Sequence, residues 1–223
     1  MKITKEQIKY IDHRLENNGL KYWDIRIEMV DHVVSDLEKN AKTSDFKIEL
    51  DITLKRICGS RNLSHMHRKS WQNANRHYRK IYHKGFIDFF KNYLNLFVLG
   101  VFLLGVYFLS EVVMHKTFLK VSYSIFLSPI VLYFYLYFKA WRKKYGKSVH
   151  RDYAFSYLII SFLILNGVMN FIKVDGDFAF PITYHKPILF FILPLHLILV
   201  HAGYGVYKKG IGKVENIRKQ LLS

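Results

Sequence analysis

A single cysteine, Cys58, occurs in the 223 residues. That excludes an intramolecular disulfide and any CxxC pair for redox chemistry or zinc, and a lone thiol fits a reducing compartment. No HExxH, GxSxG, P-loop or GxGxxG motif occurs either, so no enzyme is expected. There is no internal repeat and no low-complexity tract. No long apolar run precedes about residue 93, so no cleavable signal peptide is expected, and the first such run must itself direct insertion.

What the sequence does hold is 51% hydrophobic residues, with aromatic residues making up 17% of the chain, and the apolar residues concentrate in four runs. These are "YLNLFVLGVFLLGVYFLSEVVM" (93–114), "VSYSIFLSPIVLYFYLYF" (121–138), "YAFSYLIISFLILNGVMNFI" (153–172) and "PILFFILPLHLILVHAGYGVY" (187–207). Each is close to or beyond the roughly 18 residues a helix needs to cross a bilayer. The net charge of +17 is confined to residues 61–223, because residues 1–60 carry 11 Lys/Arg and 11 Asp/Glu. Lys and Arg number 8 in 61–91, 6 in 139–151 and 5 in 208–219, against 2 in 115–120 and 2 in 173–186. Alternation of this kind predicts that both termini are cytoplasmic. Topology therefore accounts for the positive charge, and no nucleic-acid partner is expected.

The first sixty residues predict a small helical module. Thr4 and Gln7 have capping-box spacing, flanked by Ile3 and Ile8, so a helix should start at residue 5 and stop at Gly19. In "YWDIRIEMVDHVVSDLE" (22–38) the steps of Trp23, Ile27, Val30, Val34 and Leu37 predict a second helix with that seam against the first. One position on, Asp24, Glu28, Asp31, Ser35 and Glu38 form an acidic stripe, with His32 beside it. Glu28, Asp31 and His32 have the i, i+3, i+4 spacing of metal ligands, but no second ligand cluster lies nearby, so no metal is expected. Docking to a basic partner, the nearest being segment 61–91 of the same chain, competes with a plain solvated face. A third helix is predicted over Asp45 to Ile57 from Phe46, Leu50, Leu54 and Ile57.

The short capped helix, the glycine turn and "YWDIRIEMVDHVVSDLE" resemble the N-terminal module of small, mostly uncharacterised membrane proteins common in the Bacteroidetes, related in layout to the HAAS signalling domain. The resemblance rests on Asp24, Glu28, Asp31 and His32 and covers about 60 residues plus the layout. HAAS proteins are thought to work with PadR-like regulators. The resemblance therefore implies sensing or adaptor work in a bacterial membrane, and carries over no catalytic residue.

Segment 61–92 mixes base with aromatics and predicts an amphipathic connector lying on anionic lipid of the inner leaflet, with Trp71, Arg76, Arg79, Lys80 and Tyr82 at the lipid surface. Its His65, His67, His77 and His83 could make the segment's charge pH-dependent, although scattered surface histidines are the more ordinary account. Of the polar residues inside spans, three invite most attention: Asn166, Asn170 and His196. Asn166 and His196 lie at similar depth, so an interhelical hydrogen bond of about 1 kcal/mol competes with a proton or ligand site. Glu111 and His115, with Asp175, Asp177 and His185, make a candidate outer ion site, although "DGD" also suits a simple turn.

The expectation is an all-α protein: a cytoplasmic helical module (1–60), a basic connector (61–92), a four-helix transmembrane bundle (93–207) with Pro129 and Pro194 kinking spans two and four, and a basic cytoplasmic tail (208–223). It would sit in the bacterial inner membrane as a sensor, adaptor or assembly protein. Its acidic helix would dock a protein partner or a second copy, without a cofactor. The alternative is a small oligomeric transporter or channel with a polar site at Asn166 and His196.

Overall fold

The computed structural model describes residues 2–58, 60–172 and 180–222, with the side chains of 58, 60–67, 221 and 222 excepted. Helices are the only regular elements among the described residues: α1 (Lys5–Asn17), α2 (Trp23–Asn40), α3 (Phe46–Cys58), α4 (Ser60–Phe89), α5 (Tyr93–Val112), α6 (His115–Arg142), α7 (Val149–Met169) and α8 (Ile182–Leu222). They form two compact units, Met1–His77 with Tyr145–Asp152, and Tyr78–Lys144 with Tyr153–Ser223. Four helices, α5 to α8, are long and apolar enough to cross a membrane.

In the first unit, α1 begins where the capping box places it. Thr4 N donates to Gln7 Oε1 at 2.8 Å, and Gln7 N to Thr4 Oγ1 at 3.3 Å. Gly19 ends the turn at φ +98, a conformation that costs glycine little. Ile11 and Leu15 of α1 are fully buried, and α2 answers them with Ile25, Met29, Val33 and Leu37. This corrects the expected seam: Trp23, Ile27, Val30 and Val34 are only half-buried. Helix α2 carries two apolar stripes that share Leu37, and the one stepping by four is the one that packs. Arg26 locks α1 to α2 through Asp12 (2.6 Å) and Glu16 (2.9 Å). Asp45 caps α3 by accepting from Lys47 N at 2.9 Å, and buried Glu49 clamps the preceding turn by accepting from Thr43 N (2.9 Å) and Lys42 N (3.1 Å).

The core of the second unit joins Val106 of α5, Phe118, Leu119 and Phe126 of α6, Leu165 and Met169 of α7, and Leu189, Ile192 and Leu193 of α8. The expected loop over 115–120 is helical, since α6 starts at His115 and only Val113 and Met114 separate it from α5. The expected tail is helical as well. At 1.5 Å per residue the 41 residues of α8 extend about 60 Å, twice a hydrocarbon core. Pro129 sits inside α6, where its missing N–H leaves the Ile125 carbonyl free, and Ser128 Oγ donates to that oxygen at 2.8 Å. Gly203 of α8 meets α7 so closely that a Cβ there would overlap the Tyr157 carbonyl oxygen.

Candidate docking site on the N-terminal module

Tyr22, Trp23 and Asp24 open α2 without a side-chain cap of their own, and all three turn to the segment 145–152. Trp23 N donates to the Lys147 carbonyl at 3.1 Å, and its Nε1 to the Tyr145 carbonyl at 2.8 Å. Gly146, at φ +74, brings the backbone beside the Trp23 ring, where a Cβ would stand 3.4 Å from Cδ1. Burial first, then the Asp152 carboxylate and a hydrogen bond to it, push the Tyr22 phenol up from its usual range.

Asp24 completes the arrangement. Its Oδ2 accepts from Ser148 Oγ at 2.8 Å and from His150 N at 3.1 Å, while Ser148 Oγ itself accepts from Arg151 N at 3.3 Å. These amide donors belong to the first turn of α7, which begins at Val149. Asp24 is thus a cap supplied by another helix, placing a carboxylate at the positive end of α7. Ser148 is fully buried, so the bonds are shielded from water.

The acidic stripe therefore divides. Asp24 is spent on the cap. Asp36, on the neighbouring face, is held by Arg56, by Thr53 Oγ1 at 3.2 Å and by Asn40 Nδ2 at 2.8 Å. Burial pushes its carboxyl up, and these hydrogen bonds outweigh it and leave it below the usual range. Glu28, Asp31 and His32 are exposed, and among the described residues neither Glu28 nor Asp31 makes a hydrogen bond or ion pair. Glu38 is exposed but engaged within the chain. His32 also lines an open cavity of about 350 Å³ with Ser35, Asp36, Lys39 and Ile57. No group of three or more metal-ligating side chains occurs among the described residues.

The residues expected at the lipid surface separate. Trp71 packs edge-on against Tyr22 with centroids 5.2 Å apart. Arg76, Arg79 and Lys80 are exposed. Tyr82 is buried with Tyr78, Tyr157, Ala202 and Val206, which removes it from any lipid surface. His65 and His67 lie outside the described side chains.

The intramembrane polar residues do not come together. His196 is 2% exposed with its ring on Phe126 at 4.6 Å, and neither ring nitrogen has a hydrogen-bond partner among the described residues. The Phe126 backbone lies close enough to act on the ring without meeting hydrogen-bond geometry. Asn166 misses it because the buried seam of α7 runs through Leu158, Ser161, Leu165 and Met169, and Asn166 lies about 100° round from Leu165. Asn170 is exposed.

Sequence reasoning missed Tyr145, Ser148 and His150 as the partners of α2. The one local signal was the Ser148 cap position before "VHRD". No family model matches the chain, and no curated protein or solved structure matches it either.

Proposed function

We propose that this protein is a multi-pass sensor or adaptor of a bacterial inner membrane. Its N-terminal helical module lies in the cytoplasm and docks a basic protein partner through Glu28, Asp31 and His32. The observation that carries this reading is the division of the stripe: Asp24 and Asp36 are satisfied within the chain, whereas Glu28 and Asp31 are exposed without a partner among the described residues. Exposed carboxylates of this kind set partner choice and association rate more than stability.

The charge distribution supports cytoplasmic termini, and the resemblance to HAAS-type modules supports a regulator as the partner. Asp24 ties the module to the segment that continues into α7, so a partner pulling on α2 acts on the first turn of a membrane-length helix. Reporter fusions after residues 60 and 223 and within 115–120 test the topology, with the first two inside and the third outside. Purification of the tagged full-length protein in mild detergent tests the function. A co-purifying protein with a basic surface, released as salt is raised, supports docking, whereas flux of an ion through the protein in liposomes would favour a channel.

A further inference from the structure

Where α5 gives way to α6 in the second unit, four ionisable side chains from three helices meet as two pairs. Lys186 of α8 donates to Glu111 of α5 at 3.0 Å, and Glu111 also accepts from Ser110 Oγ at 3.3 Å. Beside them His115, the first residue of α6, stacks on His185 of α8 with ring centroids 5.3 Å apart and planes at 22°. Nε2 of His115 lies 3.1 Å from Nδ1 of His185. His185 is fully buried, and its Nε2 lies 2.7 Å from the Phe180 carbonyl oxygen. Of the candidate outer ion site, Glu111 pairs with Lys186 and His115 with His185, and Asp175 and Asp177 lie outside the described residues.

The bonding pattern fixes where the protons are. A carbonyl only accepts, so His185 Nε2 carries a hydrogen and donates it to Phe180. Neutral His185 then has its lone pair on Nδ1, and the hydrogen between the rings belongs to His115 Nε2. One added proton is accommodated. It can sit on His115 Nδ1 with the inter-ring bond unchanged, or on His185 Nδ1 with His115 Nε2 as acceptor. Two added protons make both facing nitrogens donors, and the bond becomes a repulsion between like charges 3.1 Å apart.

We propose that His115 and His185 form a proton-binding site that holds one proton and opens when a second arrives, freeing the start of α6 from α8. The charged groups around it oppose the second proton. The Lys186 ammonium adjoins His185 in the chain, the compensating carboxylate of Glu111 is already held by Lys186, and His115 stands at the positive end of α6. Histidine is the side chain suited to respond between pH 8 and 5. That the site reports external acidity rests on the topology of the proposed function. Proton binding itself does not.

The test uses full-length protein in detergent micelles, where both faces meet the buffer, so its result is independent of that topology. With ¹⁵N-labelled histidine, the two rings at neutral pH should both be Nε2–H tautomers, and on acidification they should take up protons in two steps more than about one pH unit apart. Between pH 7.5 and 5 the wild type should lose roughly 3 °C more of its Tm than His115→Phe. Independent single-step titrations, or equal Tm losses in the two proteins, would overturn the proposal. So would a Tm raised by zinc alone in the wild type and not in His115→Phe, which would make the pair a metal site. Should His115→Phe not fold, the wild-type titration decides.

Discussion

The two units differ in how they treat some of their buried polar groups. In the first, Arg26, Asp36, Glu49 and Ser148 are each buried or half-buried and each is met by a named partner across helices or turns. In the second, Tyr82 Oη, Ser122 Oγ, Ser161 Oγ and both nitrogens of His196 are buried with no hydrogen-bond partner among the described residues, although buried His185 is bonded. A unit rich in charged side chains gains its specificity from such bonds. A unit built from long apolar helices gains it from steric fit, as at Gly203 against Tyr157 and Gly85 against Ala202. Polar substitutions should therefore damage the first unit and steric ones the second.

The largest effect should come from Gly203→Val. Its side chain would overlap the Tyr157 carbonyl, and a backbone atom cannot swing aside, so a loss on the order of 3 kcal/mol or more is expected. Thermal unfolding in detergent, or loss of folded yield, measures it. Next comes Asp24→Ala, which strips Ser148 and His150 N of their shared acceptor. Charge-assisted bonds at a helix N-terminus predict a cost of about 2 kcal/mol, with Asp24→Asn costing less because one acceptor oxygen remains.

A weaker lever is pH. The hydrogen bonds to Asp36 hold its carboxyl below the ordinary 3.8 against the opposing effect of burial. The amides of Thr43 and Lys42 do the same for Glu49. Folded values below unfolded ones mean that stability is fully present above the unfolded pKa and is lost as pH falls through the folded one. The first unit should therefore weaken below about pH 4, and Glu49→Gln should flatten part of that dependence in a Tm series. The smallest effect belongs to His196→Leu. With no hydrogen bond to lose, the change should be neutral or raise Tm slightly, because an unpaired buried polar group costs about 1–3 kcal/mol. A marked fall in Tm would show that something unseen satisfies the imidazole.

Local features were legible in the sequence because their causes are local. The Thr4 and Gln7 cap, the Gly19 stop, the Asp45 start of α3 and the four apolar runs each follow from residues a few positions apart. The packing face of α2 was not legible, because two apolar stripes satisfy the same periodicity and only the position of α1 selects Ile25, Met29 and Val33. Nor was the fate of Asp24. Its partners Ser148 and His150 stand more than 120 residues away, and nothing in "YWDIRIE" distinguishes a carboxylate that caps a distant helix from one that faces solvent. Asn166 and His196 failed to pair for a similar reason: equal depth was readable from residue counts, but facing direction depended on the α7 seam.

The acidic stripe is divided between an inward cap at Asp24 and exposed Glu28 and Asp31, which the proposed function makes a docking face. The most direct measurement compares Asp24→Asn with the double variant Glu28→Gln, Asp31→Asn in full-length protein, recording Tm and the amount of co-purifying partner at low salt. Asp24→Asn should lower Tm, whereas the double variant should keep the wild-type Tm and lose most of the partner, if the stripe is divided in this way. A double variant that retains the partner at wild-type level would contradict it.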